Sequence, residues 1–175
     1  MGHTRNSVVI NAPYNQVFDT SNHIERWTEL FGDEYVKADV LERKGNEITF
    51  RLHDKDGKNW VSKRWLFKDL KLAYAQRHEP MFPFKYMKLV WFYTQTSAQT
   101  AEQSERDLAN PPKADGGPEG ILMTWIQDFE MDPGFTKFTE EQIEGFVNEH
   151  SQHNMKIFKK VIEQEVAVPT PVKNL

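Results

Sequence analysis

The chain contains no cysteine, which excludes both a disulfide framework and a thiol nucleophile. It has no excess of basic residues: the formal charge is -4 and the pI near 5.9, so the electrostatic footprint of a nucleic-acid binder is missing. No apolar run approaches the roughly 18 residues of a spanning helix, and the N-terminus is polar from its first residues. Neither a signal peptide nor a membrane segment is therefore expected, and cytoplasmic residence is the default. A Gly-rich phosphate loop, a Gly-x-Ser-x-Gly elbow and a zinc signature are absent as well. Any chemistry has to come from Arg, Tyr, Ser, amides and water in a shaped cavity. Aromatic residues are what the chain has in quantity, with 13% of residues in that class, including five Trp and twelve Phe. Such a supply can line a hollow as well as fill a core.

At 175 residues the simplest organisation is one domain over 1–166, followed by a disordered tail at 167–175. Arg5 to Ile10 reads as a first strand. Pro13 then opens a short helix to Thr20 with Val17 and Phe18 on its apolar side, and Asn22 is placed to cap a second one carrying Ile24, Trp27 and Leu30. From Val36 the hydrophobic period changes to two, giving strands at Val36–Arg43, Glu47–His53, Asn59–Phe67, Leu72–Arg77, Tyr86–Thr94 and Ile121–Met131. The run 95–120, rich in Ser, Thr, Gln, Pro and Gly, reads as a long flexible hairpin loop. Thr139 with Gln142 forms a capping box for a final helix to about Val166, whose stripe is Ile143, Val147, His150, Asn154, Ile157 and Val161.

The hairpin at Asp54–Lys58 decides which face of Trp60–Trp65 looks inward. A type I turn with Gly57 left-handed as a bulge pairs Leu52 with Trp60, Phe50 with Ser62 and Ile48 with Arg64. A two-residue Asp-Gly loop would slip the register by one and turn Val61, Lys63 and Trp65 inward. The bulged loop is preferred, because the slip buries Lys63 among apolar neighbours. It places a guanidinium and a hydroxyl on an aromatic interior face, where Arg64 needs a partner, water or an oxygen-rich ligand. In the last strand Met123, Trp125, Gln127 and Phe129 should face inward, since the opposite set carries Asp128 and Glu130. One strand, two short helices, six strands and a long helix fit an α+β helix-grip: a curved seven-stranded antiparallel sheet around the C-terminal helix, with an interior cavity. Arg64, Ser62, Gln127, Asn154 and His150 would converge there. His150 and His153 have a spacing that permits a metal, but His153 lies off the stripe and no third ligand accompanies them.

Several segments together resemble the aromatase/cyclases of bacterial type II polyketide synthesis, in particular the tetracenomycin type, single domains of the START-like (SRPBCC, Bet v 1-like) helix-grip superfamily. They are Ser7–Pro13, Trp27–Phe31 with Tyr35, Trp60–Arg64, Pro83–Met87 with Trp91, Trp125–Met131 with Pro133 and Gly134, and Asn154 with Met155. The resemblance implies an enzyme that takes a poly-β-ketone chain from an acyl carrier protein, closes a first ring by an intramolecular aldol reaction and dehydrates it to an aromatic ring. It implies neither metal nor organic cofactor, and contact with the ketosynthase/chain-length factor as a further partner. Residues matching Arg64, Tyr35 and Ser62 carry the polar work in that family. Those matching Trp27, Trp60, Met87, Trp91, Trp125, Gln127, Phe129 and Asn154 shape the pocket, with Phe31, Phe84 and His150 beside them. A basic rim for the carrier would draw on Arg26, Lys63, Lys85 and Lys88. The 95–120 insertion and a short Asp54–Lys58 loop depart from the family pattern. The alternative is a START-like carrier that shields a hydrophobic ligand and does no chemistry.

Overall fold

The structure, a computed structural model, describes residues 1–97 and 119–167. Strand β1 (Gly2–Ile10) leads into helix α1 (Tyr14–Ser21), a 3-10 turn at Ile24–Arg26 and the short helix α2 (Trp27–Leu30). Then follow β2 (Tyr35–Lys44), β3 (Glu47–Asp54), β4 (Asn59–Phe67), β5 (Leu72–Glu79), β6 (Phe84–Ser97), β7 (Glu119–Met131) and helix α3 (Glu140–Ala167). The seven strands make one open antiparallel sheet in the order β1-β7-β6-β5-β4-β3-β2. It curves around α3 in the helix-grip arrangement expected from the sequence.

The hairpin between β3 and β4 takes the bulged form. Gly57 has φ +80°, a conformation that costs other residues strain, and Asp54 Oδ1 accepts from the amides of Asp56 and Lys58 at 3.0 and 2.8 Å. Leu52 pairs with Trp60, Phe50 with Ser62 and Ile48 with Arg64. Lys63 and Trp65 consequently stay outside, where both meet Glu47.

Strands β6 and β7 run further than their periodicity suggests, pairing as far as Ser97 with Glu119. The ends of the expected 95–120 loop are thus strand, and its remainder, like the expected tail beyond Ala167, lies outside the described residues. Strand β1 starts at Gly2, three residues early, and the close approach there needs a glycine: an added Cβ would stand 2.3 Å from the Phe129 ring.

The capping box of α3 forms reciprocally, Thr139 N donating to Gln142 Oε1 and Gln142 N to Thr139 Oγ1. The deepest row of its C-terminal half is Met155, Phe158 and Ile162, one position beyond the expected stripe, while Ile157 and Val161 flank it. This half packs with Ile10, Val17, Phe18 and Ile24 into the main core. The N-terminal half is anchored by Ile143 and Val147 in a small cluster with Phe84 and Phe129. Between the two anchors the helix stands off the sheet, bridged to β7 by the hydrogen bond from Gln127 to Ser151.

Candidate active site

The gap is a cavity of about 430 Å³, floored by β3 to β7 and roofed by α3. Of the residues expected there, Arg64, Tyr35, Ser62, Trp27, Phe31 and Trp60 line it, as do Phe84, Met87, Trp91, Trp125, Gln127, His150 and Asn154. Phe129 does not. It is fully buried, its ring 5.6 Å from that of Phe84 and roofed by Gly2. Strand alternation assigns it correctly to the inner face, but that position lies over solid core.

Arg64 is 2% exposed and has no carboxylate partner. Its Nε donates to Asn22 Oδ1 at 2.7 Å, and its Cζ stands 3.7 Å from the Trp91 ring centre. Trp91 in turn stacks on Trp125 at 4.1 Å, giving a guanidinium and two indoles in layers. A desolvated cation–π contact of this kind contributes about 2 kcal/mol, less than the several kcal/mol that burying an ion costs. Burial pulls the guanidinium down to about 10, opposed by the nearby Tyr93 hydroxyl, so it remains a cation at neutral pH. Its Nη2 has no hydrogen-bond partner. The site therefore holds an uncompensated positive charge against an aromatic wall.

The residue that fixes this cation is Asn22, which the sequence suggested as a helix cap. Its amide instead donates to Phe18 O and Tyr93 Oη at 2.8 and 3.0 Å, closing α1, and Ser21 Oγ lies 2.9 Å from the same hydroxyl. A capping role needs only local geometry; the partner that redirects Asn22 lies 42 residues away.

Tyr35 sits at the start of β2 with its ring stacked 6.5 Å from Trp27 and edge-on to Trp60 at 6.0 Å. Burial, then the carboxylates of Glu34 and Asp54, push its phenol well above the usual tyrosine value. It stays protonated, able to donate. Ser62 shares the inward face of β4 with Arg64. Gln127 is held by Ser151 Oγ and Thr4 Oγ1 at 2.5 and 3.3 Å, tying β7 to α3 and β1.

Sequence reasoning missed two charged wall residues, Glu34 and Arg77. Glu34 falls in the unpatterned turn before β2, where no periodicity signals orientation. Arg77 is at the end of β5, its Nε donating to Pro80 O at 2.7 Å and its Cζ 5.1 Å from the Trp60 ring; burial lowers its pKa. The suggested basic rim is not assembled. Arg26 pairs with Glu29 and Glu165, Lys63 with Glu47 and Lys85 with Glu130, Lys88 lies by Tyr86, and none of the four lines the cavity. His153 faces Asp33 at 3.5 Å, away from the cavity wall. Among the described residues no group of three His, Asp or Glu could hold a metal, and no helix is long and apolar enough to cross a membrane.

A curved antiparallel sheet gripping a long helix over an aromatic hollow is the START-like, helix-grip fold, and solved structures agree on it. A START superfamily protein from Mycobacterium smegmatis covers 94% of this chain and 99% of its own, with TM-score 0.65 at 12% identity. The Zhui aromatase/cyclase from Streptomyces sp. R1128 covers 93% and 92%, with TM-score 0.62 at 16% identity. Sequence relatives narrow the class. A Streptomyces cyaneus protein named "Putative polyketide cyclase" is 35% identical over 175 residues, covering 97% of this chain and 99% of its own. One of the same name from Streptomyces halstedii is 37% identical over 130 residues, 71% of this chain and 98% of its own. No family model matches. The chain belongs to the polyketide cyclase family.

Proposed function

We propose that this cyclase receives a poly-β-ketone chain from an acyl carrier protein, folds it in the cavity, closes its first ring by an intramolecular aldol reaction and dehydrates the product to an aromatic ring. The observation that carries the reading is Arg64, a buried cation with no anionic partner facing a hollow of about 430 Å³. Aldol closure places negative charge on a carbonyl oxygen, first as enolate and then as alkoxide. A guanidinium fixed by Asn22 and Trp91 in low-dielectric surroundings stabilises that charge without reorganising. Tyr35, kept protonated by its surroundings, donates to the alkoxide or to the departing hydroxyl, with Ser62 relaying through water. The aromatic walls of Trp27, Trp60, Trp91 and Trp125 hold the flexible chain in one bend, which supplies orientation. The ketosynthase/chain-length factor, which holds the growing chain, is the second partner this reading implies.

Reconstitution with the cognate synthase and carrier protein tests it. Adding the protein should replace shunt products with a single first-ring aromatic product. Arg64→Ala should lower that yield about 10²- to 10³-fold, the usual effect of removing an oxyanion donor, and Tyr35→Phe should favour the cyclised but undehydrated product. Unchanged product and rate in both variants, with binding retained, would make the protein a non-catalytic carrier.

A further inference from the structure

Ring closure by this route begins with removal of a proton from carbon, and the groups considered so far donate protons or stabilise charge. We propose that Glu34 is the general base for that step, with His150 and Asn154 as the positioning residues that hold its carboxylate; the assignment rests on the cyclase reading above. Among the described residues, the titratable groups of the cavity wall are Glu34, Tyr35, Arg64, Arg77 and His150. The two guanidiniums cannot accept a proton at neutral pH, and the Tyr35 phenol already holds its own. Glu34 is the one carboxylate in the wall.

Its placement is rigid. The Glu34 amide donates to Phe31 O at 2.8 Å and its carbonyl accepts from the Lys55 amide at 3.2 Å, so both sides of the peptide are tied. Oε2 accepts from Asn154 Nδ2 at 3.3 Å and Oε1 lies 3.2 Å from His150 Nε2. Asn154 Nδ2 is also 3.1 Å from that same ring nitrogen. His150 Nε2 thus has two alternative partners. Unprotonated, it accepts from Asn154; protonated, it donates to Glu34. The imidazole is about half exposed, so a proton taken by Glu34 in the cavity has a route through His150 to water. Asn154 Oδ1 is buried without a partner and can accept from a hydroxyl of the bound chain.

In the step itself, Glu34 takes a proton from a methylene flanked by two carbonyls, and the C–H electron pair moves to the enolate oxygen held at Arg64. The enolate carbon then attacks a second carbonyl, forming the C–C bond, and that oxygen receives a proton from Tyr35. Before dehydration Glu34 passes its first proton through His150 to water and Tyr35 regains one from water; Glu34 then removes the second proton from the same carbon as hydroxide leaves with the proton of Tyr35. One water is released and no oxidant or reductant is required. The charged and titratable groups around the pair are Tyr35 beside it, Arg64 and Arg77 across the cavity, Asp54 near Tyr35, and the Asp33–His153 pair next to it.

The test is deuterium exchange of the acidic methylene in a soluble aromatic 1,3-diketone, followed by NMR in D2O, with tryptophan quenching as the measure of binding. Wild type should accelerate exchange. Glu34→Gln should lose about 10²- to 10⁴-fold of it, the span of general-base effects, with quenching retained, and His150→Gln should change the shape of the acid limb of the pH profile. The far-UV circular dichroism and urea midpoint of Glu34→Gln, set beside wild type, control for loss of fold. Exchange at the wild-type rate in Glu34→Gln would overturn the base while leaving the cyclase reading intact. If Glu34→Gln does not fold, an unaltered pH profile in His150→Gln overturns the assignment instead. Failure of wild type both to exchange the probe and to form a ring in the reconstituted system would overturn the reading on which it rests.

Discussion

The two halves of helix α3 face the same sheet and do opposite things. From Met155 to Ile162 the helix presents Met155, Phe158 and Ile162, all essentially inaccessible, to Ile10, Val17, Phe18 and Ile24. From Ile143 to Asn154 it presents Val147, His150, Ser151 and Asn154 to a hollow. Apolar rings occur in both halves; the difference is what stands opposite. Helices α1 and α2 pack under the C-terminal half and stop at Leu30, so among the described residues no helix fills the space under the N-terminal half. Phe158, whose ring meets Phe31 at 5.0 Å and both Trp91 and Trp125 at 6.0 Å, is the wall between the two.

The largest expected effect is therefore at Phe158. Phe158→Ala should destabilise the protein by about 3–5 kcal/mol, the range for a core phenylalanine, read as the midpoint of urea unfolding. It also merges the hollow with the packed region, so an apolar dye should bind in greater amount. A loss below about 1 kcal/mol would mean that the C-terminal half is as loosely filled as the other.

Arg64 should behave in the reverse way. The displacement of its pKa from 12.5 to about 10 corresponds to roughly 3 kcal/mol of strain on the charged form, and Arg64→Met removes it. Asn22 Oδ1 then loses its donor, which costs about 1–3 kcal/mol. The two nearly cancel, so thermal stability should hold or rise while cyclisation is lost. A large drop in melting temperature would show the cation to be structural.

How much of this was legible in the sequence follows the same division. The fold could be read because the hairpin turn fixes its register locally: Asp54 and Gly57 place Ser62 and Arg64 inward without reference to anything distant. The inward set of β7 could be read from Asp128 and Glu130 on the other face. What alternation cannot tell is whether an inward side chain meets a hollow or a neighbour, so Phe129 was expected in the pocket and belongs to the core. Glu34 and Asn22 were missed as site residues for a related reason. Both lie in turns, and their roles come from partners more than 40 residues away: Asn22 from Arg64, and Glu34 from Asn154.

The two buried tyrosines carry the comparison into pH dependence. Tyr93, in the packed half, is raised by burial alone, while Arg64, Ser21 and Asn22 all favour its ionised form. Tyr35, in the hollow half, is raised by burial and then further by Glu34 and Asp54. Each holds its proton in the fold after the unfolded chain has lost it at about pH 10. Their contribution to stability is therefore complete below pH 10 and is lost above it, at up to about 1.4 kcal/mol per pH unit for each. The lowered Arg64 pulls the other way in the same window, because there the unfolded chain still binds a proton that the fold has released. Tyr35→Phe should flatten the alkaline decline over a wider range than Tyr93→Phe, measured as urea midpoints from pH 9 to 11.5. Equal effects would remove the distinction between the two environments.

The smallest effect should come from Phe146, three turns before Phe158 on the same helix. Its side chain lines the cavity mouth, is 50% exposed and touches Phe138 edge-on at 5.3 Å. Half of its surface already meets water, so Phe146→Ala should cost less than about 1 kcal/mol, well short of the loss at Phe158. If the hollow is where substrate sits, the same substitution should raise the apparent KM for the carrier-bound chain by widening the mouth, with the catalytic step itself little changed. Equal stability losses at Phe146 and Phe158 would mean that the mouth closes over in solution and that the two halves of the helix are packed alike.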